Sequence, residues 1–260
     1  SDLGLIPLQS LLNAGRYFLE KQQRSIGVGE EELVRIAIKS LGLDELSPFI
    51  PEERIIEYVL KDKSTSLLAN KTLTAFANQT ASESPAPGGG SVAAYAGALG
   101  ASLGAMVANL SSHKKGWDDQ WQYFSNWAEK GQALKTQLLK AVDEDTQAFN
   151  AIMNAFALPK TTDAEKKVRA ATIEEATQNA ILVPYHVMEM AAESFDLLMA
   201  MAEKGNPNSI SDAGVGALCA RTAVYGAYLN VKINAASLKN ETFKNEILAK
   251  AETLLQSALL

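Results

Sequence analysis

Asp145 stands where a helix should be apolar. Leu138, Val142, Asp145, Phe149, Ile152 and Phe156 follow alternating steps of four and three, the spacing of a core-facing helical seam. One carboxylate therefore takes a position that periodicity assigns to the interior, while Asp143 and Glu144 turn toward solvent. A carboxylate drawn inside loses hydration, and its proton affinity rises unless a cation or hydrogen-bond donors meet it. Enzymes tune an acid–base catalyst for neutral pH in this way. A structural ion pair, for instance with Arg221, would suit the same position.

A second candidate is Ser84-Pro85-Ala86-Pro87-Gly88-Gly89-Gly90-Ser91. Two prolines stiffen an extended approach, and three glycines permit backbone angles and close contacts that side chains forbid. A helix is predicted to start at Ser91, whose hydroxyl would cap it. Bare amide N–H groups and the helix dipole there suit an anion or a polar ring edge, and a plain turn would use the same residues. No Lys-Ser/Thr follows the glycines and no strand precedes them, so neither a nucleotide-hydrolase loop nor a dinucleotide fingerprint is present. His113-Lys114-Lys115-Gly116 closes the same helix, where cations suit the dipole and could also receive ligand carboxylates. Asn206, Asp212, Asn230 and Asn234 add polar groups to a later helix with little side-chain bulk, and buried amides need partners. His113 and His186 form no spaced pair, so no metal site is expected.

Nearly every segment that must position these groups reads as helix, and alternating strand patterns are scarce. Helices are predicted over 7–23, 30–41 and 51–60, the last with Pro51 in its first turn. A polar linker spans 61–66. A helix over 67–80 and a break at 82–90 follow, then long helices near 91–112, 117–157, 163–204 and 208–236 and a shorter one from 240 onward. The run from Ser91 to Ser112 has no charge and is about the length of a membrane span. Its glycines and alanines, with Gly97, Ala101, Gly104 and Ala108 at three- or four-residue steps, fit instead a central helix closely surrounded in a bundle. Pro184 should kink the 163–204 helix. The fold class is all-α: a long-helix bundle over 64–260, preceded by a smaller helical piece with its linker over 1–63.

With 24 Lys and Arg against 30 Asp and Glu in 260 residues, the net acidity argues against nucleic-acid binding and leaves an anionic ligand to local basic patches. The lone Cys219 excludes a disulfide framework and fits a reducing, cytoplasmic setting. No basic leader with an apolar run opens the chain, and neither a leader peptide nor a membrane association is expected.

Together these strings resemble a known family. Ser84–Ser91, Lys114-Lys115, Val142-Asp143-Glu144-Asp145 with Ala148-Phe149, Leu158-Pro159-Lys160, Gly205-Asn206 to Asp212, and Gly226 to Val231 with Asn234 occur in the order found in formimidoyltetrahydrofolate cyclodeaminases. The resemblance covers roughly residues 64–260. Residues 1–60, with Leu5-Ile6-Pro7 and Pro51 to Tyr58, resemble the C-terminal end of a glutamate formimidoyltransferase domain, which precedes the deaminase in bifunctional members. Most of that domain, with its catalytic histidine, would lie upstream of Ser1, so no transferase activity is expected of this chain.

The resemblance implies an ammonia-lyase of folate-dependent one-carbon metabolism and histidine degradation, closing 5-formiminotetrahydrofolate to 5,10-methenyltetrahydrofolate. It makes Asp145 the catalytic acid–base. It brings Gly88, Gly89, Gly90 and Ser91 to the folate, sets Lys114 and Lys115 on the polyglutamate tail, and gives Asn206, Asp212, Asn230 and Asn234 to the pterin. It implies a tetrahydrofolate derivative as substrate, no metal, and a homodimer or larger homo-oligomer. A methenyltetrahydrofolate cyclohydrolase on the same fold, or a non-catalytic helical scaffold, are the alternatives.

Overall fold

A computed structural model of the chain describes residues 4–61 and 67–259, and ten α-helices account for most of them. The expected linker and the 63/64 boundary therefore fall mainly on residues 62–66, outside the described residues. Four short helices come first: α1 (Leu8–Lys21), α2 (Glu30–Ser40), α3 (Pro51–Arg54) and α4 (Ile56–Leu60). Leu11, Val34, Ala37, Ile38 and Ile55 form a small core of their own between them. The predicted 51–60 helix is broken at Ile55. That side chain is fully buried in the small core, and its backbone is extended. The neighbouring amides pair instead with Ile6: Ile6 N–H donates to Arg54 O at 2.9 Å and Ile56 N–H to Ile6 O at 3.1 Å. Burying an isoleucine and two backbone groups here outweighs one more helical turn.

The remaining helices are α5 (Leu73–Thr80), α6 (Gly89–Ser112), α7 (Trp121–Ala157), α8 (Asp163–Lys204), α9 (Ile210–Ala235) and α10 (Glu241–Leu259). Their boundaries have chemical causes. Thr72 caps α5 by accepting from Ala75 N–H at 3.2 Å, so the predicted 67–80 helix starts late, after one tight turn over Leu68–Asn70. α8 opens on a reciprocal cap: Thr162 Oγ1 accepts from Glu165 N–H, and the Glu165 carboxylate accepts from Thr162 N–H at 2.8 Å. Pro184 lies inside α8 and is itself buried.

α6 packs against α7, α8 and α9. Its small residues let backbones meet, since a Cβ on Gly100 would lie 2.8 Å from Gly216 O on α9. Length and composition would let α6 cross a membrane, yet most of its apolar stretch is buried within the bundle. The spacing predicts a helix surrounded on all sides, but α6 is not. Val92, Leu99, Met106 and Leu110 remain exposed along one side, beside Val215, Leu218, Tyr225, Leu229 and Ile233 of α9. Glycine and alanine fill the narrow inner contacts, which leaves the bulky apolar residues facing out.

The loop between α1 and α2 sits against the end of the bundle where α6 finishes. Ile26 N–H donates to Ser125 Oγ at 2.9 Å, Asn109 Nδ2 donates to Gly27 O at 2.8 Å, and Arg16 pairs with Glu129. Gly27 lies so close to Ala128 that a Cβ would reach it at 2.3 Å.

Candidate active site

The turn before α6 is held from within: Gln79 Nε2 and Ser84 Oγ both donate to Ala86 O, at 2.8 and 2.7 Å. α6 then starts at Gly89, two residues earlier than predicted, and its N-cap is Gly88, which supplies no side chain. None of Gly88, Gly89 and Gly90 adopts a positive φ. What they provide is room. A Cβ on Gly90 would sit 2.1 Å from Asp145 Oδ1, and one on Gly89 3.5 Å from Asn230 Nδ2. Glycine at 90 lets a carboxylate from α7 reach the first turn of α6.

That carboxylate takes over the capping task expected of Ser91. The Ser91 hydroxyl, fully buried, donates to Asp145 Oδ2 at 2.8 Å, and the Ser91 backbone N–H binds the same carboxylate. Burial pushes the Asp145 carboxyl above its ordinary range, and the two Ser91 donors pull it part of the way back. Arg221 is exposed and is not its partner. Asp143, expected in solvent, is bound as well: it accepts from Leu68 N–H at 2.6 Å and Ala69 N–H at 3.3 Å. Glu144 pairs with Lys140 on the helix surface.

Asp145 opens on a cavity of about 130 Å³ that Gly88, Gly89, Gly90, Asn230 and Asn234 also line. Both asparagines have committed an amide N–H elsewhere. Asn230 Nδ2 donates to Gly226 O at 2.9 Å, and Asn234 Nδ2 donates across to Ala180 O of α8 at 2.7 Å. Each keeps a carbonyl oxygen and a second N–H for a ligand's hydrogen bonds. Thr146 lines the cavity beside Asp145, and its hydroxyl oxygen is buried without a hydrogen-bond partner. Larger spaces, about 680 and 560 Å³, lie within and beside the N-terminal helices, away from Asp145.

Four other residues expected at the site are elsewhere. Lys114 and Lys115 follow the C-terminal end of α6, whose 24 residues place that end roughly 35 Å from the cavity at 1.5 Å per residue. The Lys114 ammonium lies 3.9 Å from the centre of the Trp117 ring, and Lys115 is exposed. Asn206 serves its own turn, donating its N–H to Ser111 Oγ at 2.8 Å and accepting from Asn208 N–H. Asp212 lies in the first turn of α9 at that same end. Within one chain, then, Gly88 to Ser91, Asp145, Asn230 and Asn234 come together, while Lys114, Lys115, Asn206 and Asp212 form a second group. Neither histidine joins the cavity: His113 Nε2 accepts from Ser25 N–H at the N-terminal seam, and His186 pairs with Glu189 on the surface. Among the described residues no cluster of three or more His, Cys, Asp or Glu side chains gathers.

Phe149 stands in the apolar stripe and in the strings that carry the resemblance, without a site role there. Spacing assigned it to the core, yet it lines the cavity and is 39% exposed. Its position four residues after Asp145, in the same stripe, was the available signal.

The formiminotransferase-cyclodeaminase family model matches residues 72–253, and that of the formiminotransferase domain matches residues 1–61. The chain is 36% identical over 257 residues to formimidoyltransferase-cyclodeaminase of Rattus norvegicus, covering 98% of this chain and 47% of that protein. It thus spans about half the length of such relatives. It is 42% identical over 192 residues to methenyltetrahydrofolate cyclohydrolase of Methylorubrum extorquens, covering 74% of this chain and 92% of that protein. The crystal structure of formiminotetrahydrofolate cyclodeaminase from Thermotoga maritima superposes with a TM-score of 0.63 at 28% identity, covering 73% of this chain and 92% of that one.

Proposed function

The chain belongs to the formiminotransferase-cyclodeaminase family, and on that premise we propose that its bundle closes 5-formiminotetrahydrofolate to 5,10-methenyltetrahydrofolate with release of ammonia. One observation carries the reading: a carboxylate drawn out of water and held by Ser91 opens on a cavity lined by a bare glycine backbone and two asparagines.

The anilinic nitrogen of the folate adds to the formimino carbon and gives a tetrahedral centre. The amino group on that centre must be protonated before its C–N bond breaks, and the anilinic nitrogen must lose its own proton. Asp145 serves both transfers, giving its proton to the departing amine and receiving the one released at ring closure. Burial favours the protonated starting form, and positioned proton transfer of this kind contributes on the order of 10²–10⁴-fold. Holding the two folate nitrogens together adds to that. The asparagine carbonyls would accept from N–H groups of the pterin edge.

The test is ammonia release from 5-formiminotetrahydrofolate by the purified chain and by Asp145→Asn. We expect the variant to lose at least 100-fold in kcat while folate affinity stays within a few-fold. Loss of neither, or of both together with the melting temperature, overturns Asp145 as the acid–base. A second reading, methenyltetrahydrofolate cyclohydrolase, is favoured by the Methylorubrum extorquens relative. Turnover of methenyltetrahydrofolate without ammonia release from the formimino substrate would select it.

Further parts of the proposal follow from the family and the surface. The exposed apolar side of α6 and α9 suits a second copy of this chain. An antiparallel homodimer would bring Lys114 and Lys115 of one copy toward the cavity of the other, where a polyglutamate tail would need cations. An upstream formiminotransferase domain, a place in histidine degradation and a cytoplasmic location complete it.

A further inference from the structure

α7 changes character at the cavity. Up to Asp145 its inward stripe is buried, with Leu138 and Val142 fully enclosed, and beyond it Phe149 is 39% exposed and Phe156 51% exposed. The cause is the level at which α6 begins: Gly90 meets Asp145, so α7 runs on past the end of its neighbour. An aromatic ring that spacing would send into the core therefore borders open space. α7 supplies this cavity with Ala148, Phe149 and Ile152, and α9 supplies the side-chain amides of Asn230 and Asn234. An aromatic side chain beside side-chain amides is an arrangement that receives a flat heterocycle with hydrogen-bonding groups on its edge.

We infer that Phe149 is a specificity-determining residue: its ring is the surface on which the bicyclic ring of the folate rests while Asp145 addresses the formimino nitrogen. This rests on the folate reading above. The role is one of binding. Phe149 carries no proton, so its loss weakens capture and leaves the chemical step nearly intact.

Phe149→Leu keeps an apolar side chain and removes the flat face, while Phe149→Tyr keeps the face. The measurements are kcat and KM for ammonia release, calorimetric affinity for the unreactive 5-formyltetrahydrofolate, and melting temperature. Phe149→Leu is expected to raise KM and the 5-formyltetrahydrofolate Kd about tenfold, with kcat within threefold and an unchanged melting temperature. Phe149→Tyr is expected to restore both constants to within twofold of the parent. An unchanged Kd in Phe149→Leu, a fall in kcat at constant KM, or equal losses in Leu and Tyr would each overturn the inference. Failure of the parent reading looks different: the unsubstituted chain would then neither bind 5-formyltetrahydrofolate nor release ammonia.

Discussion

Ser91 and Asp145 act as one unit, and the serine sets how much of the acid is available. Its hydroxyl and amide favour the ionised carboxylate, against the effect of burial. Ser91→Ala removes the hydroxyl and leaves burial in place, so the Asp145 proton should be held to higher pH. If the protonated form starts the reaction, the limb of kcat that falls as pH rises should move upward in Ser91→Ala, by up to about one unit for a hydrogen bond of ~1 kcal/mol. A pH profile of both proteins checks this, and a downward shift would contradict it. The carboxylate itself was legible in the sequence because a charged residue interrupts an apolar stripe. Its partner was not. Ser91 read as a helix cap because a serine before an apolar run usually is one, and nothing local reveals that a carboxylate 54 positions away takes that task. Asp143 was misread for the same reason, its partners being backbone amides of a distant turn.

Among the elements, α6 and α9 set the cavity's walls through their closeness. Gly100 meets backbone atoms of α9, Gly216 O and Ala220 N, at 2.8 and 3.1 Å from the site of a Cβ. Backbone cannot swing aside as a side chain can. Gly100→Ala gains helix propensity of about 1 kcal/mol and must still part the two helices, a cost of about 1–3 kcal/mol. We expect a melting temperature lower by a few degrees, read by calorimetry, together with a raised KM because Gly89 and Asn230 ride on the same pair. An unchanged melting temperature would show that the helices have slack. Helix boundaries were legible because caps, proline and glycine mark them. The exposure of Phe149 was not, because periodicity reports which way a residue faces and says nothing of how far the neighbouring helix extends. The two-residue bridge at Ile55 was equally hidden, its cause being a contact with Ile6 some fifty residues earlier.

In the whole molecule, charge and apolar surface are distributed unevenly. The long side of α6 and α9 carries Leu99, Met106, Leu218 and Ile233 in the open, Leu218 at 63% exposure. A contiguous face of that kind on a 27.9 kDa chain is costly to leave in water. Sedimentation should report a dimer, and Leu218→Glu should shift it to monomer with a loss of ammonia release if the cations of a second copy are needed. A monomeric parent would remove that part of the proposal. The grouping of Lys114 and Lys115 with Asn206 and Asp212, and their distance from Asp145, could not be read from order along the chain, because one long helix separates the ends it connects.

The seat of residues 25–27 against α6 and α7 bears on what covalent continuity contributes here. Side chains of Asn109 and Ser125 hold that loop by its backbone, Gly27 lies flush with Ala128, and Arg16 reaches Glu129. If those contacts suffice to hold the N-terminal helices once a peptide bond between Lys61 and Leu67 is severed, the two pieces should co-elute in size-exclusion chromatography, and their separation would show that the linking chain is what keeps them together.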